Sequence, residues 1–212
     1  MAARRRKEAS PSPASPRRAA GGGWTPPTDV YEIEVTLRET PPPVWRRILV
    51  QGDMTLGRLH AVLQIAMGWQ GSHLHMFRIG GKTYGDLENE MDDGESITGG
   101  DENEITVAMA FKAGKSRMVY EYDFGDCWEH DLKVVKVHPP EAAPDSGPAC
   151  VAGARACPPE DVGGTPGYGH FLEVMADPEH EEYEDLSGWI GGSFDPEKFD
   201  LNAVNRDLKR LR

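Results

Sequence analysis

The chain has no run of roughly 18 or more apolar residues, so its sequence predicts no transmembrane helix. It has only three cysteines, an odd and small number that argues against a disulfide scaffold and for a reduced, cytoplasmic protein. An arginine run near the N-terminus is followed by Ala-Ala-Gly-Gly-Gly rather than by an apolar segment, so a secretory signal is not expected. An organellar transit peptide, which contains arginine and serine and few acids, is the alternative for this segment.

Basic residues are also scarce: 23 lysines and arginines stand against 35 acidic residues, which gives a net charge of −12. Six basic and two acidic residues among the first 30 give that segment a charge of +4, which leaves −16 on the rest of the chain. A body that acidic repels a phosphate backbone. We therefore do not expect the folded part to bind DNA, and we expect its partner to be a protein or a small ligand.

The predicted elements indicate one α+β domain at residues 30–212, after a basic tail at residues 1–29 that is rich in Pro, Ser and Gly and is expected to be disordered. The sheet is expected to be mainly antiparallel, with one helix after the second strand and a helical segment at the C-terminus. Strands are predicted at residues 31–37, 44–50, 74–79, 104–111, 117–124 and 128–137, and helices at residues 55–67, 168–176, 178–189 and 202–211.

Turn and cap residues fix several of these boundaries. Thr55 is a suitable N-cap for the first helix, and Gly68 can supply its left-handed end. Gly80-Gly81 predicts a hairpin. The acidic, glycine-interrupted stretch 86–104 predicts a solvated loop, and the strands at 104–111 and 117–124 are expected to pair around Ala113-Gly-Lys-Ser.

Two segments concentrate reactive side chains. Residues 122–130 read Tyr-Asp-Phe-Gly-Asp-Cys-Trp-Glu-His, and residues 150–164 read Cys-Val-Ala-Gly-Ala-Arg-Ala-Cys-Pro-Pro-Glu-Asp-Val-Gly-Gly. Together they contain every cysteine of the chain, along with turn-forming glycines and prolines. This composition indicates a site on loops, although it also fits structural turns.

Several motifs, in their order along the chain, resemble those of the plasmid pRiA4b ORF-3-like family. The matching segments are Pro42-Pro-Val-Trp-Arg-Arg, Leu56-Gly-Arg-Leu-His, Ala66-Met-Gly-Trp, Ser72-His-Leu-His-Met-Phe, both clusters above, Gly191-Gly-Ser-Phe-Asp-Pro and Phe199-Asp. The resemblance covers the chain from about residue 31 to residue 211. It implies a compact α+β domain related to insertion-element passenger proteins of the "TnpR" type, and it brings no catalytic residues with it.

A metal site is the sharpest chemical hypothesis. His73 and His75 lie two residues apart, so on a strand both imidazoles would face the same side and bind one ion. His130, Cys150 and Cys157 would complete a set of nitrogen and sulfur ligands that suits zinc. The alternative is that both histidines pack within a sheet and that the thiols are small buried groups, because six residues between Cys150 and Cys157 exceed a usual zinc knuckle.

The remaining candidates are residues for acid–base chemistry or for ligand binding. Four titratable residues lie near a glycine turn and would supply an acid–base pair if buried near a cleft: Asp123, Asp126, Glu129 and His130. The alternative role for the two aspartates is to cap that turn, with Trp128 anchoring the core. Arg46 and Arg155 are of a type enriched at interfaces and anion sites, or they pair with the surplus of carboxylates.

These observations favour a cytoplasmic accessory or binding protein without evident catalytic activity. Its candidate binding residues are Asp123, Asp126, Trp128, His130, Arg155 and Arg46. The alternative is a zinc-binding protein, and in that case a hydrolytic enzyme, that uses His73, His75, His130, Cys150 and Cys157.

Overall fold

The computed structural model describes residues 28–87, 97–145 and 147–211. These residues form the predicted α+β fold, with eight mostly antiparallel strands in one sheet and five α-helices. The strands are β1 (Val30–Leu37), β2 (Trp45–Gln51), β3 (His75–Ile79), β4 (Lys82–Gly85), β5 (Gly100–Asp101), β6 (Arg117–Tyr122), β7 (Trp128–His138) and β8 (Ala149–Ala154). The helices are α1 (Leu56–Met67), α2 (Val107–Ala113), α3 (Gly164–Ala176), α4 (Tyr183–Ile190) and α5 (Leu201–Leu208). The predicted tail lies outside the described residues except for its last two.

The sheet has the strand order β5-β4-β3-β6-β7-β1-β2-β8, and its neighbouring strands are antiparallel except for the short β4–β5 pair. Alternate residues of the long strands point to one face, where Ile33, Val35 and Ile48 are fully buried. Helices α1, α2 and α5 contact the strands. The hydrophobic core therefore lies between these helices and one face of the sheet.

The opposite face of the sheet carries a row of ion pairs. Arg38 pairs with Glu129 and Asp131, and Arg78 pairs with Glu121 and Glu129. Burial opposes ionisation of Glu129, but hydrogen bonds from Arg78 and Arg38 outweigh it and lower the pKa of this carboxyl group. Partly exposed pairs of this kind contribute little stability each, so the row chiefly sets the polarity of the face.

The ends of α1 are those that the sequence predicts. The Thr55 side chain accepts a hydrogen bond from the backbone N–H of Arg58, and Gly68 ends the helix in the left-handed conformation with φ 98°. The β3–β4 hairpin also turns at Gly80 and Gly81 as expected, and both have positive φ. Local cap and turn chemistry therefore bounds the segment that contains β3, which borders the candidate site.

The strand predicted at 104–111 is wrong, because residues 107–113 form helix α2. Thr106 caps this helix by accepting a hydrogen bond from the N–H of Met109. The buried residues Val107, Ala110 and Phe111 are spaced by three and four, which is a helical pattern. A short apolar run is compatible with the period of a helix or of a strand. Here the Thr106 cap favours the helix. Residues 88–96 of the acidic loop predicted at 86–104 lie outside the described residues.

Strand β8 forms within the segment that the sequence suggests is a loop. It pairs with β2 at one edge of the sheet, and the Asn205 side chain covers its other edge. Asn205 accepts a hydrogen bond from Cys150 N–H at 2.9 Å and donates one to the Cys150 carbonyl at 2.8 Å, as a neighbouring strand would. The approach is close at Gly153, where a Cβ would lie 2.7 Å from the Phe199 ring.

The C-terminal helical segment is present as predicted, with α4 beginning later than the pattern suggests, at Tyr183. Helix α3 packs against α4 and places Tyr168, Phe171 and Val174 in buried positions. No helix among the described residues has both the length and the apolar character that crossing a membrane requires.

Candidate functional site

Three segments that are distant in sequence meet at one end of the β3–β6 pair. They are residues 69–74, which connect α1 to β3; the end of β6 with Asp123; and residues 157–163, between β8 and α3, which we call the 157–163 loop. Strand pairing sets His75 opposite Tyr122, so His73 and Asp123 come together just beyond the strand ends. The 157–163 loop joins them through Glu160 and Asp161.

His73 occupies the centre of this arrangement. Its Nε2 atom lies 3.2 Å from Asp161 Oδ1, 3.7 Å from Asp123 Oδ2 and 3.7 Å from Glu160 Oε2. This nitrogen is shielded from solvent and makes no hydrogen bond to any described residue. Ligand atoms of His73, Asp123 and Asp161 all lie within 4.8 Å of one another. An imidazole nitrogen without a partner thus faces three carboxylates.

Asp123 has two distinct oxygens. Oδ1 accepts hydrogen bonds from the N–H groups of Gly125, at 2.9 Å, and Asp126, at 3.3 Å, so it organises the β6–β7 turn. Oδ2 receives no hydrogen bond from the described residues and points towards His73. The residue is only 7% exposed, and its φ is 58°. The turn therefore fixes this carboxylate with one oxygen aimed into the site.

Asp126 lies in the same turn, but its carboxylate binds the 157–163 loop. Its Oδ2 accepts a hydrogen bond from Gly163 N–H at 3.1 Å and so ties the turn to the 157–163 loop. The approach is close at Gly164, where a Cβ would lie 2.7 Å from the Asp126 carbonyl oxygen. Asp126 thus acts on the backbone of the loop and is not in the ligand group.

Glu160 is held by groups on either side of the site. Its carboxylate accepts hydrogen bonds from the Tyr122 hydroxyl, at 3.0 and 3.2 Å, and from Gln70 N–H, at 2.8 Å. Burial, and then the negative charge of Glu160, raise the pKa of Tyr122, so this phenol remains protonated and donates. Glu160 and Asp161 belong to the second sequence cluster, yet their residue types alone did not mark them as ligands.

His75, a predicted metal ligand, belongs to a neighbouring network. Its Nε2 lies 2.8 Å from Glu102 Oε2, and its ring stacks on His60. The Tyr120 hydroxyl accepts a hydrogen bond from Gln64, which leaves its proton for His60 Nδ1 at 2.8 Å. Burial, and then proximity to His75, lower the pKa of His60 to about 3, so this imidazole is neutral.

The five predicted metal ligands do not converge among the described residues. His73 precedes β3, so the two-residue alternation of a strand does not bring its ring beside that of His75. His130 is fully buried in β7, where its Nδ1 lies 3.2 Å from the Tyr120 carbonyl oxygen. Burial lowers the pKa of His130 to about 4.

The two remaining predicted ligands, Cys150 and Cys157, join no group of three ligating residues in the described ranges. Cys150 lies in β8, where its thiol donates to the carbonyl oxygen of Ala152 at 3.3 Å. Burial raises the pKa of both thiols, which disfavours the thiolate form that binds metals. The described residues therefore bring together a group centred on His73, and not the five ligands predicted from sequence.

Arg46 is a structural residue rather than a ligand-binding one. Its guanidinium donates to the carbonyl oxygens of Ala66, Trp45, Ala154 and Arg155 at 2.7–2.9 Å. The group joins α1, β2 and the end of β8 in the interior, where burial lowers its pKa. Every nitrogen of its fork already has an acceptor.

Arg155 and Trp128 lie apart from the His73 group as well. Arg155 pairs with Glu197 at 2.9 Å, although its Nε is buried without a hydrogen bond among the described residues. Trp128 is almost fully buried in the core, near Trp69. Of the predicted binding residues, only Asp123 thus points a free polar atom into the site.

Comparisons with known proteins place this fold in a family. Residues 29–203 match the profile of the plasmid pRiA4b ORF-3-like proteins. An uncharacterized protein of Sinorhizobium fredii, y4hQ, is 38% identical over 184 residues, which are 86% of this chain and 92% of the relative. The crystal structure of a protein of unknown function, MM3350 from Methanosarcina mazei Go1, is 36% identical with a TM-score of 0.74, covering 83% of this chain and 96% of that one. The chain therefore belongs to the plasmid pRiA4b ORF-3-like protein family.

Proposed function

We propose that the protein binds a divalent metal ion through His73, Asp123 and Asp161, with Glu160 as an adjacent carboxylate. The observation that carries this proposal is the His73 Nε2 atom, which is shielded from solvent and unpartnered among the described residues, at 3.2–3.7 Å from three carboxylate oxygens. Buried polar atoms without a hydrogen-bond partner are rare in native structures and call for an explanation. A metal ion bonded to Nε2 supplies one.

The distances fit a first coordination shell. With bonds of about 2.1 Å, two ligand atoms of a tetrahedral zinc site lie about 3.4 Å apart. The separations of 3.2 Å from His73 Nε2 to Asp161 Oδ1 and 3.7 Å to Asp123 Oδ2 bracket that value. Only small side-chain movements are needed to place one ion between them.

The ligand types narrow the choice of metal. One imidazole with carboxylates suits zinc or manganese, whereas magnesium and calcium prefer oxygen alone. The negative charges also favour a divalent ion, because three carboxylates around one imidazole repel one another and a divalent cation offsets that repulsion. Zinc remains the first ion to test, now without thiolate ligands.

The test is calorimetric titration of the full chain, produced without a histidine tag and freed of metal with a chelator, using Zn²⁺ and then Mn²⁺. We expect one ion per chain. His73→Ala and Asp161→Asn should each weaken binding by at least about tenfold, since even removal of a residue behind a metal ligand costs about 10–100-fold. The absence of saturable binding by either ion would overturn the proposal.

Two control variants distinguish this site from non-specific metal binding elsewhere on the protein. His170→Gln removes an exposed histidine that pairs with Glu182 and should leave the affinity unchanged. The Cys150→Ser and Cys157→Ser double variant should also bind normally. Loss of binding in the cysteine variant would favour the nitrogen and sulfur set predicted from sequence.

The wider role that we propose is that of a cytoplasmic accessory protein that acts on a protein partner or a small ligand. The three cysteines are all free in the structure, which suits a reducing compartment. The link to mobile elements rests on the resemblance of the motifs to those of insertion-element passenger proteins. Recovery of the chain in a membrane or secreted fraction of its host would contradict the cytoplasmic assignment.

A further inference from the structure

The 157–163 loop is fastened to the rest of the domain at a few points. Trp69 Nε1 donates to the Pro158 carbonyl oxygen at 2.9 Å, and Gly163 N–H donates to Asp126 at 3.1 Å. Between these points the tip of the loop is held by the hydrogen bonds of Glu160. The fastenings at its ends are thus separate from the contacts at its tip.

Asp161, at the tip, has few contacts. Its φ of 58° lies in the left-handed region, which aspartate adopts more readily than most residues with a Cβ. Its side chain is 70% exposed, and its one polar contact among the described residues is with His73. No hydrogen bond from the described residues therefore holds this carboxylate in place.

Electrostatics opposes closure of the tip. Carboxylate oxygens of Asp161 and Asp123 lie within 4.8 Å of each other, and Asp123 is 7% exposed and therefore poorly screened by water. Glu160 adds a third carboxylate at 3.7 Å from the same His73 nitrogen. The same side chains surround the unpartnered Nε2 of His73. A cation among them would turn this repulsion into attraction.

We infer that the metal ion clamps the 157–163 loop onto the end of β6, so that occupancy of the site controls opening of the loop. This inference rests on the proposed metal site. Asp161 supplies the ligand from the loop, and His73 and Asp123 supply the ligands from the sheet side. Because α3 begins at Gly164, immediately after the loop, the ion also fixes the start of that helix.

Amide hydrogen exchange on the full chain tests the clamp, with Zn²⁺ binding measured on the same samples by calorimetry. The reporters are the Gln70 N–H, bonded to Glu160, and the Gly163 N–H, bonded to Asp126. An ion that binds only the closed loop reduces the open population by about 100-fold when present at about 100 times its Kd. Both reporters should slow by that factor, while the Ala203 N–H, bonded to Asp200 at the start of α5, should not change.

Two variants distinguish closure of the loop by the ion from metal binding alone. Asp161→Asn should abolish the zinc-dependent slowing, and Glu39→Gln, at an exposed carboxylate distant in sequence from the loop, should retain it in full. Stoichiometric zinc binding with unchanged exchange at both reporters would overturn the clamp and leave the metal site standing. A lack of zinc binding would overturn the proposed function, and the clamp with it.

Discussion

The imidazole rings of His60 and His75 stack face to face, with 3.6 Å between their centroids and 10° between their planes. Each ring is fixed by a different partner, Tyr120 for His60 and Glu102 for His75. Because burial keeps the His60 ring neutral, the stack does not place two positive charges face to face. The pair therefore belongs to a network of its own and is not part of the proposed metal site at the strand ends.

Removal of the Tyr120 hydroxyl should destabilise the network that contains His60 and Gln64. In Tyr120→Phe the partner atoms of Gln64 and His60 lose their shared hydrogen bonds within the core. We expect a loss of about 1–3 kcal/mol in the free energy of unfolding, measured with urea. Tyr183→Phe is the matched control, because that hydroxyl makes no hydrogen bond in the described structure. Equal stabilities of the two variants would contradict the role given to Tyr120.

The buried His130 should make stability depend on pH. Burial lowers its folded pKa to about 4, below the ordinary value of 6.5, so the fold favours the neutral ring. The contribution of the neutral His130 ring to the free energy of unfolding is fully present above pH 6.5 and is lost as the pH falls towards 4. The total loss is about 3 kcal/mol.

The measurement is urea unfolding of His130→Phe and of the unmodified protein between pH 7 and about pH 4. The free energy of unfolding should fall less steeply with acidification in the variant. His170→Gln, which removes an exposed ring, should keep the original slope. The same slope in His130→Phe would show that another group governs acid sensitivity.

Replacement of Arg46 should lower the free energy of unfolding by more than replacement of a charged residue on the surface. Lysine has no planar fork, so Arg46→Lys leaves several carbonyl oxygens of β2, β8 and α1 without donors. We expect a destabilisation of at least about 3 kcal/mol. The exposed Arg206→Lys should change stability by less than about 0.5 kcal/mol. A mild effect at Arg46 would mean that water can replace its bonds.

Much of the fold can be predicted from local signals in the sequence. The alternation in β1, the Thr55 cap with Gly68, and the Gly80-Gly81 turn act over a few residues, and the structure agrees with each. The sequence predicts a strand where helix α2 forms, because a short apolar run fits both the strand and the helix period. Strand β8 has small residues and a glycine, and it is stabilised by Asn205 and Phe199, which lie about fifty residues further along the chain.

The sequence predicts the regions that meet at the candidate site, but the described residues group differently within them. Both clusters and the His73 segment lie together, because β3 pairs with β6 and the 157–163 loop returns to their ends. Residue type favours the cysteines and the second histidine as ligands, whereas the geometry groups His73 with Asp123 and Asp161. A shift of β3 by one residue would turn the His75 side chain to the opposite face of the sheet. The residue at which β3 begins therefore decides whether His75 faces Glu102 or an ion.

The central claim is tested most directly by anomalous diffraction at the zinc absorption edge from crystals of the full chain grown with Zn²⁺. The account predicts an anomalous peak within bonding distance of His73 Nε2 and of carboxylate oxygens of Asp123 and Asp161. A fully occupied peak at Cys150, Cys157 or the exposed His170, with none at His73, would contradict it.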